Sequence, residues 1–234
     1  MKLYFLVEGR RTEVKVYPRW LSHLLPGFAR VEAFDEPGDP CYYLISSYGY
    51  PSLLHDHLAN ALTEARRAAY DALILCLDAD ELTVAEREAE VAAFMATAGL
   101  RADGLRLQVI VQNRCFETWF LGNRKALTRA PEGRLRSFVD FYDVSQRDPE
   151  AMGCHPDFGR HADFHYEYVR EMLDARGVKF TKEFPRHVGD PAYLGQLIGR
   201  CQERPGDLGS LQTFLRFCAT VTGEDRHSKD RDYP

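Results

Sequence analysis

The stretch ALILCLDAD, residues 72–80, decides the fold class. Every residue from Ala72 to Leu77 is apolar, and the acids Asp78 and Asp80 follow at once. Continuous apolarity is typical of a strand buried on both faces, as in a parallel sheet covered by helices. Because Asp78 and Asp80 are two residues apart, an extended backbone would point both side chains to the same side. The stretch therefore predicts a central parallel strand that ends in two carboxylates.

Strand and helix patterns alternate on both sides of this stretch. The elements predicted for the first half are a strand over 2–7, a helix over 12–25 with Thr12 as N-cap and Pro18 inside it, a strand over 28–34, a turn over 36–40, a helix over 53–69, a helix over 83–98 and a strand over 105–112. This alternation is the pattern of an α/β fold, with a three-layer, Rossmann-like parallel sheet flanked by helices.

The character of the sequence changes after about residue 123, where the strand patterns end. Helices are predicted over 163–175, 191–203 and 208–221, and the last residues are charged and nearly devoid of apolar groups. Such a tail lacks the apolar surface needed to pack. We therefore expect a catalytic domain over 1–122, a mostly helical subdomain over 123–222 and a flexible tail over 223–234.

Composition limits the classes of function. The chain of 234 residues has 30 Lys and Arg against 35 Asp and Glu, a net charge of −5, with 45% hydrophobic and 28% charged residues. These values are near the globular average and exclude a disordered, fibrous or polycationic chain. Nucleic acid would have to be bound by local basic patches around an acidic centre.

The sequence predicts a cytoplasmic protein. No apolar run approaches the roughly 20 residues that span a bilayer, and the first apolar run is too short for a signal peptide. The six cysteines are scattered without a C-x-x-C pair. This distribution fits reduced thiols better than a disulfide framework.

Carboxylates follow three of the predicted strands. Glu8 ends the first strand, Asp78 and Asp80 end the strand quoted above, and Glu117 follows the strand over 105–112. In open α/β sheets the ligand crevice lies beyond the carboxyl ends of the strands. Unpaired carboxylates that share a crevice repel each other, and oxygen ligands suit Mg²⁺ or Mn²⁺. A metal site is predicted; the alternative for the D-x-D pair alone is an N-cap and a solvated loop acid.

Two of the acids have an alternative explanation. Glu13 is either a second-metal ligand or an acid favoured by the N-terminus of the first helix. Glu117 is either a ligand or a helix acid anchored by the aromatic residues Phe116 and Trp119. Gly9 would let a phosphate-bearing ligand approach the backbone after Glu8.

Three segments resemble the motifs of a known family. LYFLVEGRRTEVKVYP, LILCLDADE and NRCFETWFLGN look like the motifs of Toprim-fold proteins of the RloB-like and OLD (overcoming lysogenization defect) nuclease groups. The order is Glu-Gly then Thr-Glu, D-x-D and F-E-x-W. The residues that carry the resemblance, which covers about residues 1–122, are Glu8, Gly9, Thr12, Glu13, Asp78, Asp80, Phe116, Glu117 and Trp119.

The resemblance implies a Toprim-like sheet and Mg²⁺-dependent phosphodiester chemistry. It assigns Glu8 as general acid or base and Asp78 and Asp80 as acids that hold the metal. It also implies bacterial anti-phage defence beside an ATPase of the ABC or AAA type. The sequence has no Walker-type phosphate loop, so that ATPase would be another chain. The alternatives are a non-catalytic module that binds nucleic acid or an ATPase, and a hydrolase of small phosphate esters; a homo-oligomer is also compatible with the sequence.

Basic residues supply the expected phosphate contacts. The candidates for nucleic-acid binding are Arg10, Arg11 and Lys15 near the first helix and Arg124 and Lys125 after the F-E-x-W segment. A positive rim around an acidic, metal-loaded centre suits a phosphate backbone. The alternative is ordinary surface charge on helices.

Two further clusters have weaker patterns. Cys154, His155, His161 and His165 include one i, i+4 histidine pair, but without paired cysteines a structural zinc site is not favoured. Basic and aromatic residues interleave over 179–193, a pattern that can hold single-stranded nucleic acid. A loop with packed aromatic residues is the commoner explanation.

Overall fold

The computed structural model describes residues 1–35 and 38–223. Its strands are β1 (Lys2–Val7), β2 (Ala29–Val31), β3 (Cys41–Ser46), β4 (Ala72–Asp78) and β5 (Arg106–Gln112). Its helices are α1 (Glu13–Leu24), α2 (Leu58–Arg67), α3 (Val84–Thr97), α4 (Phe116–Phe120), α5 (Gly133–Phe141), α6 (His161–Asp174), α7 (Pro191–Glu203) and α8 (Gly209–Thr222). Part of the turn predicted over 36–40, and the predicted tail from 224 onward, lie outside the described residues.

The five strands form one parallel sheet in the order β2-β3-β1-β4-β5. β1 and β4 lie side by side, with Leu3 opposite Ala72 and Val7 opposite Cys76. The α/β class and the Rossmann-like, three-layer parallel sheet with a mostly helical second half are confirmed. Because the strands are parallel, the residues that follow β1, β4 and β5 come together at one edge of the sheet.

Helices cover both faces of the sheet. On one face α2 and α3 pack on alternate strand residues such as Tyr4, Leu73 and Leu75. On the other face α1 and the helices of the second half pack on Leu3, Phe5 and the intervening residues of β4. β4 is therefore buried on both sides, which explains why its sequence is continuously apolar.

Several boundaries differ from the sequence prediction. β2 covers three residues instead of 28–34, and the helix predicted over 53–69 begins with a π-helical turn over Leu53–His57. The strand β3 and the helix α5 were not among the predicted elements. Thr12 is the N-cap residue of α1, as predicted, but its side chain makes no capping hydrogen bond.

The helices of the second half share one hydrophobic cluster with the sheet. Phe214 and Phe217 of α8 contact Tyr17 and Phe5, with ring centroids 5.3 and 6.5 Å apart. In the part of the chain that the structure describes, no helix combines the length and the apolarity that a bilayer span requires.

Candidate active site

The carboxyl edge of the sheet holds an acidic pocket of about 270 Å³. Four carboxylates from three separate segments reach it, namely those of Glu8, Glu13, Asp78 and Glu117. The other lining residues are Gly9, Arg10, Arg11, Thr12, Tyr48, Gly49 and Lys182. We call this cavity the acidic pocket.

Glu8 joins the ends of two strands. Its N–H donates to the Cys76 carbonyl (2.9 Å), which continues the pairing of β1 with β4. Its carboxylate accepts a hydrogen bond from the Asp78 N–H (2.9 Å). Burial raises the pKa of the Glu8 carboxyl to about 6, although this hydrogen bond opposes the shift. Glu8 is therefore held at the base of the pocket in an environment that resists its ionisation.

Asp78 is the last residue of β4 and points into the same pocket. Its Oδ1 atom is buried and has no hydrogen-bond partner among the residues that the structure describes. Burial, and then the nearby charges of Glu8 and Glu13, raise the pKa of Asp78 well above its usual value. A buried carboxylate oxygen without a partner costs free energy unless a ligand satisfies it.

Glu13 is the first residue of α1 and is only 9% exposed. Its carboxylate lies directly over Gly9, so that a Cβ atom at position 9 would overlap it. Burial, and then the charge of Glu117, raise the pKa of Glu13 to about 7. The sequence leaves two explanations for Glu13 open, a metal ligand and an acid at a helix N-terminus. Its position is compatible with both, because it begins α1 and also lines the pocket.

Glu117 is carried by the short helix α4, and aromatic residues fix that helix. Phe116 stacks on Tyr17 (5.0 Å between ring centroids), and the Trp119 indole N–H donates to Ser210 Oγ (2.7 Å). Glu117 itself is 3% exposed and faces the acidic pocket. Glu117 is therefore both a helix acid anchored by aromatic residues and a residue that lines the pocket.

Asp80 has a different setting from Asp78. β4 ends at Asp78, and Asp80 has a φ of 52°, so the extended backbone assumed for the D-x-D pair is not observed. The Asp80 carboxylate pairs with the buried Arg87 guanidinium (3.2 Å), which also donates to the Ala79 carbonyl (3.2 Å). Arg87 lies 4.0 Å over the Tyr50 ring and fixes this turn. Asp80 is close enough to raise the pKa of Glu8 but does not line the acidic pocket.

Lys182 is the residue of the pocket that the sequence motifs miss. Its Nζ atom lies 3.5 Å from Glu117 Oε1, and it comes from the loop between α6 and α7. The Glu117 carboxylate raises the pKa of the Lys182 ammonium above its usual value, and Asp78 and Glu13 add to the shift. Lys182 therefore supplies one positive charge to a group of acids.

The oxygen atoms that line the pocket are donors of the type that a hard divalent cation binds, but the described residues do not arrange them as a coordination shell. Within residues 1–35 and 38–223, no three His, Cys, Asp or Glu side chains form a ready-made metal cluster. Two buried oxygens on the pocket wall, Asp78 Oδ1 and Thr12 Oγ1, lack a partner. This donor set matches the carboxylate chemistry of Mg²⁺ and Mn²⁺ sites.

The five basic candidates fall in two places. Arg10 and Arg11 line the acidic pocket, and Lys15 lies beside it, where its ammonium donates to the Glu183 carbonyl (2.5 Å). Arg124 instead pairs with Glu203, and Lys125 lines a separate cavity of about 510 Å³. The structure brings only the first group to the acids.

The histidine cluster brings the rings of His161 and His165 into edge contact, with centroids 5.9 Å apart, but each ring bonds to a different partner. His161 Nδ1 bonds to Glu81, and the fully buried His165 Nδ1 lies 2.7 Å from Thr118 Oγ1. Burial lowers the pKa of His165 to about 3, so this ring is neutral at physiological pH. His165 supports the residue next to Glu117, while His155 packs among Phe138, Phe141 and other rings of the second half.

Comparison of the chain with protein-family models, with curated proteins and with solved structures found no match in any of the three.

Proposed function

We propose that the acidic pocket is the active site of a divalent-metal-dependent nuclease that hydrolyses phosphodiester bonds in DNA or in structured RNA such as tRNA. The observation that carries the proposal is the convergence of Glu8, Glu13, Asp78 and Glu117 in one cavity, with Asp78 Oδ1 buried and without a partner. A structural role does not explain such a group, because each unpaired buried acid destabilises the fold.

Glu8 and Asp78 are proposed to hold Mg²⁺ or Mn²⁺, with Glu13 and Glu117 as further ligands. Asp80, which the sequence also predicts as a ligand, pairs with Arg87 outside the pocket lining and is not proposed as one. A bound divalent ion would polarise the scissile phosphate and activate water. The resemblance of the Glu-Gly motif supports Glu8 as the general acid or base. The Asp78 N–H keeps the Glu8 carboxylate oriented toward the pocket.

Positive groups would bind the phosphates of the substrate. Lys182 stands inside the pocket, and Arg10 and Arg11 are exposed on its wall. Arg10 makes no ion pair with any residue that the structure describes, so its guanidinium is available for a phosphate. Arg124 and Lys125 lie away from the pocket lining and are proposed only as secondary contacts.

The setting of this activity is part of the proposal. Similarity of the three motifs to RloB-like and OLD nucleases supports a Toprim-type enzyme of bacterial anti-phage defence that works with a separate ABC or AAA ATPase. All six cysteines are free thiols, which supports the reducing cytoplasm as the place of action.

The experiment is a cleavage assay with purified wild type, Asp78→Asn and the control Asp71→Asn. Asp71 lies just before β4, at the opposite end of the strand, and is exposed. Plasmid DNA, single-stranded DNA and total tRNA are each incubated with Mg²⁺, Mn²⁺ or EDTA and resolved on denaturing gels. Cleavage by wild type and Asp71→Asn, lost in Asp78→Asn and in EDTA, is expected. Equal cleavage by all three variants would refute the assignment of the site, and a wild type that binds nucleic acid but never cleaves it would favour a non-catalytic module.

A further inference from the structure

A second cavity, of about 500 Å³, lies on the α1 side of the acidic pocket, and we call it the basic groove. Its lining residues are Val14, Lys15, Pro18, Arg19, Arg30, Glu183, Phe184, Pro185 and Arg186. Four of these side chains are cationic and exposed, and the one acid among them, Glu183, is paired with Arg11 (3.1 Å). The groove therefore has a net positive charge in a chain whose overall charge is −5.

Phe184 is the aromatic residue of this groove, and it is 73% exposed. The loop with packed aromatic residues that the sequence pattern favours is therefore wrong for Phe184. Among the described residues, Phe184 is the most exposed of the large hydrophobic side chains. The backbone that carries this ring is held by hydrogen bonds, since the Phe184 N–H donates to the Thr181 carbonyl (3.0 Å) and the Lys15 ammonium donates to the Glu183 carbonyl (2.5 Å).

One loop connects the basic groove to the acidic pocket. Lys182 of this loop contacts Glu117 in the acidic pocket, and two residues later Phe184 lines the groove. On the other side of the acidic pocket, Tyr48 is 68% exposed on the loop after β3. One exposed ring therefore lines the acidic pocket, and a second lies in the positively charged groove beside it.

We propose that the basic groove binds an unpaired nucleic-acid strand, with a base stacked on Phe184 and the backbone phosphates on Lys15, Arg19, Arg30 and Arg186. Rings beside cations are the arrangement that binds single strands, because every base has a face that stacks. In a duplex the faces of the bases are covered by their neighbours, so no base would be available to stack on Phe184. The inference rests on the proposed function, since it names the substrate class as single-stranded DNA or RNA, including the loops of structured RNA.

The test measures binding without cleavage. Fluorescence anisotropy in EDTA measures binding of the full chain to a labelled strand of roughly 12 nucleotides, a length within the range of known single-strand sites. The probes are single-stranded DNA, single-stranded RNA of the same sequence and the matching DNA duplex. The variants are Phe184→Ala, Phe184→Leu, which keeps an apolar side chain without a π face, and Phe184→Trp, which keeps the ring.

The wild type and Phe184→Trp should bind the single strands about tenfold more tightly than Phe184→Ala and Phe184→Leu, while duplex binding is equal in all four. If Phe184→Ala and Phe184→Leu weaken binding of one single strand more than the other, that strand, DNA or RNA, is the preferred ligand. Equal affinity of Phe184→Ala and wild type for both single strands would overturn the inference. Because the assay needs no metal and no cleavage, selective binding in it supports the groove whatever the result of the cleavage assay.

Discussion

At the scale of single residues, Gly9 explains how Glu13 enters the acidic pocket. The Glu13 carboxylate occupies the place that a Cβ atom of residue 9 would fill. Both residues follow β1 within the stretch EGRRTE, and this local fold brings the acid at the start of α1 back toward Glu8. The glycine is therefore required by a side chain of the same segment.

Gly9→Ala should lower Mg²⁺-dependent cleavage on the order of 100-fold, because a displacement of about 1 Å in a catalytic group has an effect of this size. The matched control is Gly153→Ala, since position 153 is exposed and a Cβ atom there contacts nothing within 4 Å. Cleavage rates and circular dichroism are measured for both variants. Full activity in a folded Gly9→Ala protein would show that the position of Glu13 does not matter.

The pKa of Glu13 also predicts how stability depends on pH. Its folded pKa of about 7 is above the usual 4.5, so the folded state binds more protons than the unfolded state between these values. The free energy of unfolding should therefore fall as the pH rises from 4.5 to 7. In EDTA, Glu13→Gln should be more stable than wild type at pH 8, by on the order of 3 kcal/mol, and equally stable near pH 4.5.

Urea unfolding at pH 4.5 and pH 8 checks this prediction. The comparison of the two proteins removes the contribution of titrating groups far from the acidic pocket, since both proteins share them. A difference between wild type and Glu13→Gln that is the same at both pH values would contradict the raised pKa.

At the scale of elements, α8 is tied to α4 by a buried polar network. Ser210 Oγ accepts from the Trp119 indole N–H (2.7 Å) and from the Asn113 N–H (3.1 Å), and it donates to Glu150 Oε1 (2.6 Å). The helix that carries Glu117 is therefore positioned by a helix from the other end of the chain.

Ser210→Ala should lower the free energy of unfolding by about 1–3 kcal/mol, because it removes the acceptor of the Trp119 and Asn113 N–H groups. Glu150 loses the hydroxyl but keeps the hydrogen bond from the Ser210 backbone N–H (3.1 Å). Ser22→Ala is the control, since Ser22 is exposed on α1 and bonds only to the Arg19 carbonyl among the described residues. Urea unfolding of both variants measures the difference. A loss of the same size in Ser22→Ala would show that the network contributes nothing particular.

The predictability of the elements follows from their local patterns. β1, β4 and β5 are predicted because their apolar runs are long and are followed by acids or turns. The strand β3 (Cys41–Ser46) is missed although its two tyrosines and Ile45 favour a strand, and its pairing with β1 identifies it. The helix α5 lies in a run of arginines, and the core positions Leu135 and Phe138 are its only buried residues.

The acidic pocket is predictable only in part. Strand ends of a parallel sheet meet at one edge, so Glu8, Asp78 and Glu117 can be placed together from the sequence. Lys182 cannot, because its contact with Glu117 depends on how the loop between α6 and α7 docks on the sheet. The change of direction at Asp80 likewise depends on Arg87, a residue of the following helix.

At the scale of the whole molecule, the helices of the second half pack on one face of the sheet and share its hydrophobic core. Phe5 of β1, Tyr17 of α1 and Trp119 of α4 all contact aromatic rings of α8. The buried Arg200 of α7 also donates to the carbonyls of Gly122 (3.3 Å) and Val144 (2.6 Å). The sheet face under α1 depends on these contacts for its burial.

A fragment of residues 1–122 should therefore fail to fold cooperatively, although it contains every acid of the proposed site. Removal of α8 exposes the rings of Phe5, Tyr17 and Trp119, and burial of such side chains is worth about 1.5–3 kcal/mol each. Limited proteolysis and urea unfolding of the fragment, beside the full chain, test this expectation. A fragment with a sharp unfolding transition and protease resistance would contradict it.

The central claim is that the acidic pocket holds a divalent cation, and calorimetric titration of Mn²⁺ tests it most directly, since it requires neither the right substrate nor an ATPase. The titration compares wild type with Asp78→Asn and with Asp71→Asn at the other end of β4. We expect wild type and Asp71→Asn to bind Mn²⁺ and Asp78→Asn to lose that binding, with all three proteins folded. Equal binding by Asp78→Asn and wild type, or no binding by any of the three, would contradict the claim.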